Sequence, residues 1–260
     1  MIRRVIDSNE IAQVETFIRK DYYNCPYFYA DLIKYGIDQD RIQLYIKIDE
    51  NELKFATLMY YDCMHVYFVE DMQTDDDLSN LILKLNPRTI FFPSYPKASI
   101  PQLDGYQGKE VLVMGPKSFL DIDTSLVRNA SIEDIPRIAQ FMYTQWPDIY
   151  DSPVTICTQL QERMSDNYGR TKYLESDGEI IACVSSFAEL NDFAICGGLL
   201  VSSSQRGKNL GSVMLKSIYE ELENEGKKTC GIIVEDYSRV FHEKNGFTIV
   251  GRIIKYVKDN

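Results

Sequence analysis

The sequence predicts a tandem α/β (α+β) chain, one fold used twice. Three observations predict it. First, strand-like and helix-like apolar spacings alternate along all 260 residues, a length that suits one large or two small domains. Second, the pattern restarts: RVIDSNEIAQV begins at Arg4 and RNASIEDIPRI at Arg128, each with an Arg, a short turn, a cap residue, an acid and Ile-x-x-Val or Ile-x-x-Ile. Third, the ends correspond. Asp104-Gly105-Tyr106 precedes one strand and Asn245-Gly246-Phe247 precedes the last, although Gly-aromatic before a strand is also common by itself. The expected division is a domain at 1–117, a linker at 118–125 and a second domain at 126–260.

The first domain opens with a short strand and a helix over residues 1–20, with Ser8 as a cap and Ile11, Val14, Phe17 and Ile18 on one face. A second helix is expected over 28–35, ended by Gly36. Residues 43–48 and 53–61 are β-rich around Asp49-Glu50-Asn51-Glu52 and read as a hairpin. A strand at 66–69, a helix at 75–85 carried by Leu78, Leu81, Ile82 and Leu85, and a buried strand at 89–92 follow. The aromatic cluster Tyr22, Tyr23, Tyr27, Phe28 and Tyr29 suits packing, or the lining of a pocket. No glycine occurs between Gly36 and Gly105, so this domain shows no glycine-built phosphate loop.

Prolines and glycines gather between Pro93 and Pro116, around a strand at 110–114, and 117–125 reads as the connector. Beyond it, Ser131-x-x-Asp134 opens a helix with Ile135, Ile138 and Met142 on its face. A polar, aromatic stretch holding Tyr143, Trp146, Tyr150 and Tyr168 comes next. Ser176-Asp177-Gly178 then turns a hairpin between strands at 170–174 and 179–187. The expected remainder is a strand at 193–201, a helix ended by Asn224-Glu225-Gly226, a strand at 229–234, a short helix at 238–244 and a last strand at 247–257.

The strand at 193–201 feeds the stretch on which a function can be hung. Leu199, Leu200 and Val201 end in three serines, then Arg206-Gly207-Lys208-Asn209-Leu210-Gly211, then a helix with Leu210, Val213, Met214, Ser217, Ile218 and Leu222 on one face. Free N–H groups at a helix start, reached through glycines and flanked by Arg and Lys, make an anion site. A plain strand–turn–helix junction uses the same residues.

Composition bounds the rest. Hydrophobic residues make up 45% and charged residues 26%, as in soluble globular proteins. No apolar run approaches about 18 residues, so no membrane span is expected, and the N-terminus lacks a signal-peptide core. A net charge of −11 argues against a nucleic-acid partner. It suits a cationic substrate such as an amine, or simply solubility. The six cysteines form no C-x-x-C pair and there are two histidines, so no metal site is expected, and the setting is a reducing cytoplasm. Gly207-Lys208 lacks the spaced glycine and following Ser/Thr of a nucleotide P-loop.

Three segments in order resemble the GNAT superfamily of N-acyltransferases over residues 126–257. Val201-x-Ser203-x-x-Arg206-Gly207-Lys208-Asn209-Leu210-Gly211 is similar to the family's V-x-P-x-x-R-G-x-G-x-G/A. The apolar strand at 229–234 is the second, and Phe241-His242-Glu243-Lys244-Asn245-Gly246-Phe247, similar to F-Y-E-K-x-G-F, the third. Departures are Ser203 for proline, Asn209 for the central glycine, Glu235 for an asparagine that often helps hold pantetheine, and His242 for tyrosine. Asn is the non-glycine residue that best tolerates positive φ.

The resemblance implies domains that are each a mixed, mostly antiparallel twisted sheet flanked by helices, the first a degenerate copy. It implies acetyl-CoA, or another acyl-CoA, as co-substrate, and no metal. The pyrophosphate would lie on Arg206, Gly207, Lys208, Asn209, Leu210 and Gly211, with Ser212 next on the helix and Phe241 and Glu235 nearby. Leu199 and Val201 would pair with pantetheine, where their strand splays from its neighbour. The tyrosine at the position of His242 often protonates the leaving thiolate; a histidine has a suitable ordinary pKa near ~6.5, or His242 is a solvated helix residue. Tyr237 is the substitute candidate. Glu189 and Asp192, near the strand's start, are candidates for the base that deprotonates the amine, or are hairpin-end charges. The resulting expectation is a cytoplasmic N-acetyltransferase, monomer or homodimer, acting by direct attack on a small-molecule amine ahead of a protein. The alternative is a non-catalytic CoA-binding or interaction module.

Overall fold

The structure, a computed structural model, describes residues 2–37, 42–73, 75–147, 152–233 and 236–259. The first elements are β1 (Ile2–Arg4), α1 (Ser8–Arg19), α2 (Pro26–Tyr35), β2 (Ile42–Asp49), β3 (Glu52–Tyr60), β4 (Cys63–Phe68), α3 (Asp76–Leu85), β5 (Thr89–Pro93) and β6 (Tyr106–Pro116). Then come β7 (Arg128–Asn129), α4 (Ile135–Gln145), α5 (Pro153–Ser165), β8 (Thr171–Ser176), β9 (Glu179–Glu189) and β10 (Phe193–Val201). The last are α6 (Leu210–Asn224), β11 (Lys228–Ile233), α7 (Asp236–Lys244) and β12 (Phe247–Lys258).

Two compact units result: Met1–Val113 with Ile233–Asp236 and Ile249–Asn260, and Met114–Ile232 with Tyr237–Thr248. Each repeats one element order: strand, two helices, three strands, a helix, a strand. In the first unit the sheet runs β1-β2-β3-β4-β5-β12-β6, and in the second β7-β8-β9-β10-β11. Pairing is mostly antiparallel. Among the described pairings the parallel ones are β4–β5 and β10–β11, and each is bridged by a helix, since parallel neighbours need a crossover. The fold is thus a mixed, mostly antiparallel sheet flanked by helices, in tandem, as the sequence predicts.

Local chemistry sets the element ends. Asp7, not Ser8, caps α1: its carboxylate accepts from Asn9 N at 2.8 Å, and Ser8 is already helical. The β8–β9 turn is the expected two-residue hairpin, with φ of 52° at Asp177 and 82° at Gly178. At Ser131 both the N–H and the hydroxyl donate to Asp134, at 2.9 and 2.8 Å. The sequence reading missed α5. It buries only Ile156 and Leu160, so its apolar stripe is too thin to stand out from a polar stretch.

The core of the first unit gathers Phe55, Met64, Phe68, Ile82 and Phe92. In the second, Ile138, Met142, Ile156, Leu160, Cys183 and Leu200 join α4 and α5 to the sheet. The connector is fastened within the second unit. Lys117 N donates to Gly246 O at 2.9 Å, and Lys216 Nζ donates to Ile122 O at 3.0 Å. No described helix is long and apolar enough to cross a membrane.

Candidate functional site

The site begins where β10 leaves its neighbour. β10 pairs with β11 from Phe193↔Lys228 to Cys196↔Gly231, and no further rung forms among the described residues. On the other side, β10 stays with β9 through Val201↔Ala182, with register shifts between Ile195 and Cys196 and between Gly197 and Leu200. The two strands therefore fork after Cys196, and the β11-facing edge of 197–201 is left open for an extended partner. Leu199 and Val201, half-buried, lie on this edge.

Gly197 and Gly198 make the bulge, and sequence reasoning passed over them. Gly198 has φ of +63°, and a Cβ on Gly197 would come within 2.7 Å of the Phe187 ring. A Gly-Gly pair inside an apolar strand is the signal that marks such a place.

Beyond Val201, a turn over Ser203–Gln205 leads to Arg206. Gly207 has φ of 80° and Asn209 φ of 62°, so asparagine does occupy the left-handed conformation that glycine adopts most readily. Asn209 caps α6 without a side-chain hydrogen bond. Among the described residues, the amides of Lys208, Asn209, Leu210 and Gly211 donate to no backbone carbonyl. Arg206 Nε reaches Val201 O at 3.4 Å and Lys208 Nζ reaches Gln205 at 2.7 Å, leaving both exposed cations beside the open amides. Ser212 is buried, and its N–H goes to Asn209 O at 3.1 Å.

Phe241 of α7 closes the other wall. Its ring would lie 3.2 Å from a Cβ on Gly211, and Val201 would lie 3.9 Å from it. Strand, loop, helix start and α7 thus meet at Val201, Gly211 and Phe241.

The corresponding junction of the first unit is opposite in charge. Asp75 caps α3 by accepting from Leu78 N at 3.2 Å, and it holds Lys47 at 2.5 Å. Asp76 and Asp77 fill the first turn. Carboxylates there occupy the positive end of the helix that α6 leaves open.

The catalytic candidates are scattered. Glu189 closes β9 with both oxygens taken. Arg170 holds it bidentately at 2.9 and 2.8 Å, Ser186 Oγ donates at 2.5 Å, and Lys227 lies at 3.5 Å. Asp192, exposed, precedes β10, its carbonyl accepting from Lys228 N at 2.9 Å. It stands at the end of β10 away from the loop, about 16 Å of strand from Gly197. Tyr237 is 74% exposed in the first turn of α7. Glu235 lies outside the described residues.

His242 is buried, not solvated. Its Nδ1–H donates to Ser238 O at 2.7 Å, and the ring meets Phe241 and Phe247 edge-on at 5.3 and 5.4 Å. Burial pushes its pKa below the ordinary value, with the Ser238 carbonyl partly opposing. The imidazole is neutral at pH 7, so the acid form needed to protonate a thiolate is scarce.

Residues 133–247 match the acetyltransferase (GNAT) family. The C-terminal region has the GNAT superfamily fold. Solved structures extend the likeness to the whole chain as fold. A GNAT-family acetyltransferase from Colwellia psychrerythraea aligns at TM-score 0.62 and 12% identity over 100% of both chains. A tandem GNAT protein from the clavulanic acid biosynthesis pathway aligns at TM-score 0.57 and 9% identity, over 99% of this chain and 98% of that one. A GCN5-related N-acetyltransferase-like protein from Streptococcus suis aligns at TM-score 0.55 and 12% identity, over 95% and 99%. The chain is therefore a tandem of two GNAT-like domains. No curated protein matches the chain. The GNAT fold suits acyl-CoA binding in general. Among the described residues no cluster of His, Cys, Asp and Glu could hold a metal ion.

Proposed function

We propose that this protein is an N-acetyltransferase that moves an acetyl group from acetyl-CoA to a primary amine of a small molecule by direct attack. One observation carries the reading: β10 forks from β11 after Cys196 and runs straight into the open amides at the start of α6. Acetyl-CoA supplies the activated acyl group when bound. Four open amides, Arg206 and Lys208 suit its diphosphate, and the free edge of 197–201 suits the amide-bearing arm. The first domain is a degenerate copy, because Asp75 and its neighbours repel the anion that the second loop attracts.

Proton handling falls to exposed groups. Glu189 is committed to Arg170 and His242 to Ser238, so Tyr237 is the proton donor to the leaving thiolate, and water carries the ammonium proton, with exposed Asp192 as the carboxylate candidate. Thiol release from acetyl-CoA with a panel of amines tests the reading. Amine-dependent release supports it; CoA binding without release on any amine overturns it. The burial of His242 and the locking of Glu189 favour a second reading in that case, a CoA-binding module without catalysis.

A further inference from the structure

Arg163 lies in the last turn of α5. It is half-buried, with its guanidinium 5.1 Å above the centre of the Phe187 ring and one N–H bonded to Phe187 O. That ring is the one against which Gly197 and Gly198 make the bulge. Arg163 therefore stands one aromatic ring from the fork, on the α4–α5 side, where Phe187 packs against that core.

Its charge is not answered. The chain carries 39 acidic residues against 28 basic ones, and Arg128, Arg137 and Arg170 of this unit are met, while Arg206 belongs to the open loop. Arg170 binds Glu189, Glu221 and Glu225, and Arg137 binds Glu175. Among the described residues Arg163 has no carboxylate partner, and its one hydrogen bond leaves most of its five donors open. The stem of Arg163 is held close against the backbone at Gly169. A Cβ on Gly169 would come within 3.3 Å of the Arg163 stem and 2.6 Å of Ser186 O. A half-buried guanidinium stacked on an aromatic ring, with its fork of donors free, is matched to a planar carboxylate.

We infer that Arg163 anchors a carboxylate of the acceptor, so that the substrate class is amines that also carry a carboxylate, as amino acids do. The inference rests on the acetyl-transfer reading for the word acceptor, and on the geometry of Arg163 and Phe187 for the carboxylate.

The test uses the full chain and three amine pairs that differ only by a carboxylate: L-lysine and 1,5-diaminopentane, L-phenylalanine and phenethylamine, L-histidine and histamine. Each is measured by thiol release from acetyl-CoA and by calorimetric titration into protein saturated with CoA. The carboxylated member of at least one pair is expected to be preferred by about 10-fold or more. Arg163→Ala should erase that preference through KM or Kd, with kcat on the carboxylate-free partner and CoA affinity unchanged. Arg163→Lys should restore it in part. Equal losses on both members of a pair, or no Arg163-dependent preference in any pair, overturn the inference. Arg163-dependent carboxylate binding without thiol release keeps it and overturns acetyl transfer instead.

Discussion

Gly211 and Phe241 touch closely: a Cβ at position 211 would lie 3.2 Å from the Phe241 ring, tighter than an ordinary contact. This contact joins two of the three segments that carry the GNAT resemblance. Gly211→Val should push α7 off the loop, lower acetyl-CoA affinity by about 10-fold and cost about 1–3 kcal/mol of stability, as overpacking does. Adding Phe241→Ala should recover part of the loss. A double-mutant cycle by calorimetry and urea unfolding reads the coupling; additive losses would show that the contact does not transmit between the two segments.

Asn209 is the residue on which the loop's shape turns, at φ 62°. Asn209→Gly should keep acetyl-CoA binding within about threefold. Asn209→Val should weaken it, because the left-handed conformation costs a β-branched residue about 1–2 kcal/mol. Isothermal titration with CoA ranks the three proteins, and equal affinity of Val and Gly variants would contradict the geometry.

His242 should be silent in the kinetics. Its pKa is lowered by burial from 6.5, so the neutral form prevails at pH 7. The kcat–pH profile of His242→Phe should keep the wild-type shape. Stability should change instead. With the folded pKa below the unfolded one, the unfolded chain takes up the proton first, and wild-type stability falls as pH drops below 6.5. Urea unfolding across pH 5 to 7 should show His242→Phe losing that slope, and a displaced kcat profile would return His242 to the chemistry.

Arg170 organises an ion cluster that links β8 and β9 to the C-terminal half of α6. Its bonds to Glu225 pull that carboxyl down to about 2, with Lys227 assisting and burial opposing. A lowered folded pKa means the contribution is fully present above the ordinary carboxyl range and is lost as pH falls through about 4.5 towards 2. Glu225 is partly exposed, so the effect is modest. Glu225→Gln should flatten the fall in stability between pH 4.5 and 2, measured by urea unfolding; an unchanged curve would place the acid sensitivity elsewhere.

Much of this protein is written locally. Asp177-Gly178, Asn209 and Gly226 announce turns because only certain residues adopt positive φ cheaply, and the faces of α4 and α6 announce helices through their 3.6-residue period. The restart at Arg128 follows from the same arithmetic applied twice. The loop at 206–211 was legible because glycine, asparagine and cations there serve a need that backbone chemistry states locally.

What tertiary structure decided is which groups meet and which are used up. The sequence offered Glu189 as a base and His242 as an acid; packing gave Glu189 to Arg170, just before β8, and buried His242 against Phe247. It offered no hint of α5, and so none of Arg163, whose meaning depends on Phe187, 24 residues further on, and on Gly197 and Gly198 beyond it. Propensity and periodicity act within a few residues and can be read from order alone. Charge pairing, desolvation and steric exclusion depend on neighbours in space, and only the folded chain determines who those neighbours are.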